Sequence, residues 1–296
     1  MADDIRDRAV AIYDRFTHEH HDRRTLLREM TLLTGSAIAA EMLIGGIAAS
    51  PAAAAIVAAD DRRLKTFPNA RVPVAGGKPI KGYVATPRGK RPCATVLVFH
   101  ENRGLTSHIQ DIVRRVALAG FFAVAPDFLS DAGGTPTDED QARAMIGAAN
   151  LDTVVAEAAG AVRHFAGAGT PPTRVGVIGF CWGGALVNRV AIAAGDRLSA
   201  GVAYYGPAPA PAEATRVTAP LLLHYAGKDA RVAQTGEPWV AALKAAGKTV
   251  EAYTYPGVDH AFNNDTSAMR YDAAAAKLAW ERTTTFLHRE LDVKRG

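Results

Sequence analysis

The stretch Val175-Gly-Val-Ile-Gly-Phe-Cys181-Trp-Gly-Gly184 decides the fold. Its first half is a short, unbroken apolar run, the pattern of a strand buried on both faces. The run ends in a Gly-x-Cys-x-Gly turn, and a segment of helix length follows. That is a nucleophile elbow with cysteine in the place of serine. The flanking glycines have a steric reason, because a Cβ on either side of so tight a turn would strike the neighbouring strand or helix. A helix that begins here aims its free N–H groups and positive dipole end at the sulfur, favouring thiolate over thiol. The same letters would also suit a small buried cysteine in an ordinary glycine-rich turn, so the rest of the chain has to discriminate.

Apolar runs of strand length recur at 80–86, 94–100, 121–127, 201–205, 220–225 and 250–255, besides 174–180. Helix-length segments separate them at 107–119, 138–165, 184–194, 235–246 and 268–290. Such alternation predicts an α/β fold, a mostly parallel sheet with helices on both faces. Asp111, Val113, Val116 and Leu118 have the spacing of an amphipathic crossover helix. Pro207-Ala-Pro-Ala-Pro211 reads as an extended loop. In sheets of this kind ligands sit at the carboxyl ends of the strands. Reactive residues just beyond each strand are therefore the candidates for chemistry.

Four strands deliver one. After 220–225 comes Gly227-Lys228-Asp229, and after 250–255 comes Asp259-His260-Ala261-Phe262. The order Cys181, Asp229, His260, at intervals of 48 and 31 residues, is that of an α/β-hydrolase triad. His260 would share the proton of Cys181, and Asp229 would fix the tautomer and orientation of the imidazole. Asp229 could instead cap a helix, and His260 could be an ordinary loop histidine. Asp259 adjoins His260 and cannot readily face its ring, so it reads as a turn residue. The fourth site follows 94–100, at Glu101-Asn102-Arg103-Gly104-Leu105. Here the fold builds half of an oxyanion hole, from the Asn102 N–H, with the Trp182 N–H as the other half. A negative Glu101 beside an oxyanion opposes catalysis, so it either turns away or has a task of its own.

The chain has 296 residues, 48% hydrophobic and 22% charged, with a net charge of +4. That balance suits one large α/β domain plus an appendage and excludes global disorder, coiled coil and a polytopic membrane protein. The excess positive charge is too small and scattered for a nucleic-acid surface. Two cysteines, Cys93 and Cys181, are too few for a disulfide framework. Cys93 stands at the amino end of its strand and is expected far from Cys181.

The catalytic domain is expected over 60–296, and residues 1–59 form a separate N-terminal region. Arg23-Arg24 precedes a run, 31–59, whose single charge is Glu41, and small residues crowd its end from Pro51 to Ala55. This is either a twin-arginine-like export signal or a pair of amphipathic helices packed on the domain. Glu41 and the long polar stretch before the arginines favour packed helices, and with them the cytoplasm over periplasmic export. Ala and Gly bury little area and Pro51 interrupts the run, so no stable membrane anchor is expected. The cluster His18-Glu19-His20-His21-Asp22 reads as a solvated face and not as a metal site, since no fixed ligand frame accompanies it. The chain is expected to be a monomer or a small homo-oligomer.

With these residues in view, 60–296 resembles the dienelactone hydrolase family, whose named activity is carboxymethylenebutenolidase. The resemblance rests on His100-Glu101…Gly104-Leu105, Ala125-Pro126-Asp127, Gly179 to Gly184, Gly227-Lys228-Asp229 and His260-Ala261-Phe262. It implies an α/β-hydrolase fold that hydrolyses an ester or lactone through a thiol ester on Cys181, without metal or organic cofactor. It also implies that Glu101 helps deprotonate the thiol when substrate binds. Two features depart from the family. Its arginine clamp for a substrate carboxylate is missing, since Pro126-Asp-Phe-Leu-Ser-Asp131 carries no base and the second position is Asn264. Phe128, Trp182 and Phe262 instead promise an apolar pocket, so neutral or aryl esters and lactones are expected to be better substrates than the anionic dienelactone. Arg103 could replace the clamp, pair with Glu101 or face solvent. The rival to the enzyme is a non-catalytic binding or redox-sensing protein on the same fold, with Cys181 as a redox thiol; the intact Asp–His pair argues against it.

Overall fold

The computed structural model describes residues 2–19, 21–48, 55–89, 92, 94–167 and 173–291. Cys93, His20 and the small-residue run at 51–54 lie outside the described residues. Eight strands form one sheet: β1 (Leu64–Val72), β2 (Ile80–Pro87), β3 (Thr95–Phe99), β4 (Phe122–Pro126), β5 (Val175–Phe180), β6 (Ala200–Tyr204), β7 (Leu221–Ala226) and β8 (Val250–Tyr255). Their order is β1-β2-β4-β3-β5-β6-β7-β8. The strands from β4 to β8 run parallel, while β2 is antiparallel to both β1 and β4. The central strands β3, β5 and β7 are buried along their whole length, which is why their sequences are continuous apolar runs and not alternating ones.

Helices cover both faces. Helix α4 (Ser107–Leu118) and α9 (Ala273–Leu291) pack on one, with Ile109, Val113, Ala279 and Phe286 in that layer. Helices α6 (Leu151–Gly167), α7 (Trp182–Ala193) and α8 (Ala230–Ala245) cover the other, through Val162, Val187 and Trp239. The single helix expected over 138–165 is two, α5 (Glu139–Ala148) and α6, bent by 97° at the junction. Ala149 is extended and the Asn150 side chain accepts the Thr153 N–H at 3.0 Å, so a polar N-cap starts a new helix inside a continuous pattern. The sequence pattern also gave no sign of β1, an edge strand interrupted by Pro68 and by Asn69 at φ 58°.

The described part of residues 1–59 contributes three helices, α1 (Ala2–His18), α2 (Arg23–Thr34) and α3 (Ala37–Ile47). They share a small core of Val10, Tyr13, Phe16, Leu26, Met30 and Ile47. Both capping side chains, Asp22 for α2 and Ser36 for α3, accept a backbone N–H three residues on. The trio docks on the sheet domain through polar contacts: Arg6 on Asp259 at 2.6 Å, Arg23 on Asp140 at 2.9 Å and Ser267 on the Ile47 carbonyl at 2.6 Å. Among the described residues no single helix is long and apolar enough to cross a membrane.

Candidate active site

Cys181 stands between β5 and α7 at φ 54° and ψ −114°, a strained conformation for a residue with a Cβ. The turn permits it because its neighbours are glycines. A Cβ on Gly179 would lie 2.1 Å from the Gly183 oxygen, and one on Gly183 would lie 2.4 Å from the Phe99 oxygen. The Cys181 N–H bonds the Tyr204 carbonyl at 3.0 Å, fixing the turn to β6. Its side chain lies at the amino end of α7, as the helix-dipole argument requires.

The loops after β7 and β8 meet beside it. Asp229 Oδ2 and His260 Nδ1 are 2.5 Å apart, both side chains being nearly fully buried. Asp229 Oδ1 accepts the Val232 N–H and caps α8. The two readings of this aspartate are thus both realised, one oxygen each, and the cap starts α8 ahead of the expected 235. Asp259 faces away and binds Arg6 from α1. Burial disfavours a charged His260, but the Cys181 sulfur and the Asp229 carboxylate outweigh it and raise the imidazolium to about 10. Burial likewise works against the Asp229 anion, yet the facing imidazolium holds its carboxyl below the usual range.

Glu101 does turn aside. Asn264 Nδ2 donates to its Oε2 at 2.9 Å, and the Tyr205 hydroxyl approaches Oε1 at 3.5 Å. Its loop is tied down through His100, whose Nε2 accepts the Phe128 N–H, leaving the Nδ1 proton for the Glu101 carbonyl. Burial lowers the His100 pKa, in keeping with this neutral tautomer. Glu101, Cys181, His260 and Asn264 border one small cleft of about 20 Å³. The Asn102 and Trp182 main-chain N–H groups bond no other protein group among the described residues. Both residues border the cavity that Cys181 faces.

That cavity holds about 300 Å³. Its apolar wall is Ile146, Leu151 and Val154 with Trp182, and Thr17 and His18 close it from α1. Of the three aromatic residues expected to line it, Trp182 does so and the other two stand elsewhere. Phe128 packs behind Trp182, ring centroids 6.0 Å apart, and Phe262 is fully buried among Tyr204, Tyr205 and Tyr255. Arg103 neither pairs with Glu101 nor faces solvent; it holds Glu139 at 2.7 Å and the Tyr13 hydroxyl at 2.6 Å, locking α1 to α5. Two arginines that the motifs did not point to line the cavity instead. Arg143 stacks on Phe16 at 4.1 Å and pairs with Asp140 at 3.8 Å, and Arg231 lies near enough to Asp229 and Asp14 for its charge to act on both. No carboxylate borders that space. His18 is the other surprise. Read as part of a solvated cluster, it lies edge-on to His260 with centroids 4.7 Å apart. Burial, and then the charge of His260, push its pKa well below the usual value. No local signal in a run of polar residues could have placed it there.

The sheet order, the elbow and the loop positions define an α/β-hydrolase. The model of the dienelactone hydrolase family matches residues 80–291, and the chain belongs to that family. Among its relatives, a Methylorubrum extorquens protein named "Putative carboxymethylenebutenolidase" is 32% identical over 277 residues, covering 88% of this chain and 94% of that protein. One of the same name from Escherichia coli K12 is 33% identical over 252 residues, covering 79% of this chain and 91% of its own. The crystal structure of a "Putative Dienelactone Hydrolase" from Klebsiella pneumoniae superposes with a TM-score of 0.66 at 30% identity, over 76% of this chain and 99% of that one. The protein is an ester hydrolase of dienelactone hydrolase type. The family match begins at residue 80, so α1–α3 lie outside it.

Proposed function

We propose that the enzyme hydrolyses small esters or lactones through a thiol ester on Cys181. The sulfur attacks the carbonyl carbon, and the oxyanion takes the N–H groups of Trp182 and Asn102. As the C–O bond breaks, the leaving oxygen receives the proton held by His260. Water then attacks the thiol ester, giving a proton to His260 and releasing the acid and the free sulfur. Asp229 orients the imidazole and balances its charge throughout. Glu101 takes the thiol proton as substrate enters and returns it to the sulfur once the acid has left, a role supported by the small cleft it shares with Cys181.

The observation that carries this reading is the strained Cys181 beside a 2.5 Å Asp229–His260 pair. A buried structural cysteine has no need of backbone strain or of an imidazole poised by a carboxylate. The test is a panel of neutral esters and lactones with wild type and Cys181→Ala. Turnover is expected to vanish in the variant, with the thermal midpoint little changed. Iodoacetamide is expected to label Cys181 far faster than Cys93. Turnover by the alanine variant within tenfold of wild type would overturn the assignment.

A further inference from the structure

One imidazole at the reaction centre is left without a task by the hydrolytic reading. His18 is the last residue of α1, and the chain bends immediately after it. A ring nitrogen of His18, Sγ of Cys181 and a ring nitrogen of His260 lie within 4.8 Å of one another. Nε2 of His18 is shut off from solvent and bonds no described protein group, whereas His260, with Nδ1 on Asp229, turns its other nitrogen to the Cys181 sulfur. Buried polar atoms in native proteins ordinarily have a partner, so the His18 imidazole beside that sulfur and the His260 ring calls for one.

The donor set says which partner. One thiolate sulfur and two imidazole nitrogens are the ligands that zinc takes in preference to magnesium or calcium. His260 is already aimed by Asp229 through its other nitrogen, the carboxylate–histidine arrangement that orients metal ligands. A tetrahedral zinc ion with bonds of about 2.0–2.3 Å sets its ligand atoms about 3.3–3.8 Å apart, so the three atoms must close by roughly 1 Å. His18 can supply that movement, since it ends its helix. Cys181 and His18 both border the 300 Å³ cavity, which leaves the fourth position of the ion facing it.

We propose that His18, Cys181 and His260 form a three-ligand site for zinc, and that the bound ion reversibly inhibits hydrolysis. The ion takes the sulfur and the His260 nitrogen out of use together and displaces the proton they share. His18 comes from outside the region that matches the family, so the site belongs to this chain's N-terminal helices as much as to its hydrolase domain. Inhibition rests on the hydrolytic reading; binding does not.

The full-length protein, freed of metal, is titrated with cobalt(II) and then with zinc. Cobalt is expected to bind one per chain, with a thiolate-to-metal charge-transfer band and the intense visible bands of four-coordinate cobalt. Zinc is expected to abolish these bands and to stop ester hydrolysis in proportion to its occupancy, with recovery in EDTA. Each variant is scored against its own metal-free activity. His18→Ala, and the helix-compatible His18→Gln, are expected to weaken both metals at least tenfold, and Cys181→Ser to remove the charge-transfer band. Wild-type affinity in both His18 variants, or no charge-transfer band in wild type, overturns the site. A His18-dependent band in a protein whose ester turnover ignores zinc supports the site and refutes the role of Cys181 in hydrolysis.

Discussion

Cys181 holds a backbone conformation that costs of order 1–3 kcal/mol, and glycine packing is what makes it reachable. At Gly183 the nearest obstacles to a Cβ are the Phe99 and His100 oxygens, backbone atoms that no rotamer change can move. Gly183→Ala is therefore expected to destabilise the fold by about 2–3 kcal/mol or more, read as a lower urea midpoint. Asp229→Asn removes the charge facing His260 while keeping the α8 cap. It is expected to lower kcat/KM by about 10³–10⁴, whereas a loss within threefold would mean that another acid holds the ring. Because His260 is raised to about 10, kcat/KM is expected to hold through neutral pH and to fall as pH rises through about 10, when the proton owed to the leaving oxygen is gone. In the Asn variant that alkaline limb is expected at lower pH, since the carboxylate is one of the groups raising the imidazolium.

Helix α1 is an element that the catalytic motifs do not mention, yet it walls the cavity. Arg103 on Tyr13, Arg143 on Phe16, Asn102 on the Thr17 carbonyl and Arg6 on Asp259 hold it there. Tyr13 is 2% exposed, and its truncation to alanine is expected to remove about 3–5 kcal/mol of local packing. Limited proteolysis in α1 is then expected to speed up, and the kcat/KM ratio of bulky to small esters to rise, because Thr17 and His18 no longer close the cavity. Strands β2 to β8 were legible to within a residue or two, because burial on both faces writes itself into continuous apolar runs such as 221–226. The elbow and the Asp229 and His260 loops were legible because their chemistry is local to strand ends. His18 and Arg143 were not, since they reach the site through helix docking, and Arg231 was not because only the turn of α8 begun at Asp229 sets its direction. Asn150 shows the same limit at short range, one side-chain cap having turned one expected helix into two.

At the scale of the whole molecule, the cavity that Cys181 faces is lined by two arginines. The expected neutral pocket reckoned with the two family arginine positions and with Arg103 as their replacement, and the fold brings Arg143 and Arg231 to the cavity from α5 and α8. A guanidinium in a partly apolar cavity favours a carboxylate, the more so where the pair is bidentate. A dienelactone is thus expected to match or exceed its methyl ester in kcat/KM, with the advantage falling at high salt and in Arg231→Gln. Arg103→Ala is expected to change both substrates alike, because its guanidinium serves Glu139 and Tyr13. An unchanged preference in Arg231→Gln would return the pocket to neutral esters.

The clasp between Arg6 and the loop around Asp259 joins residues 253 positions apart. During synthesis α1 emerges well before its docking surface, which follows some 253 residues behind it. The N-terminal helices must therefore wait, with their apolar faces packed on each other, until the last strand has been laid down. In a refolding experiment ester turnover is expected to lag behind the recovery of secondary structure, since contacts of such long sequence separation form slowly.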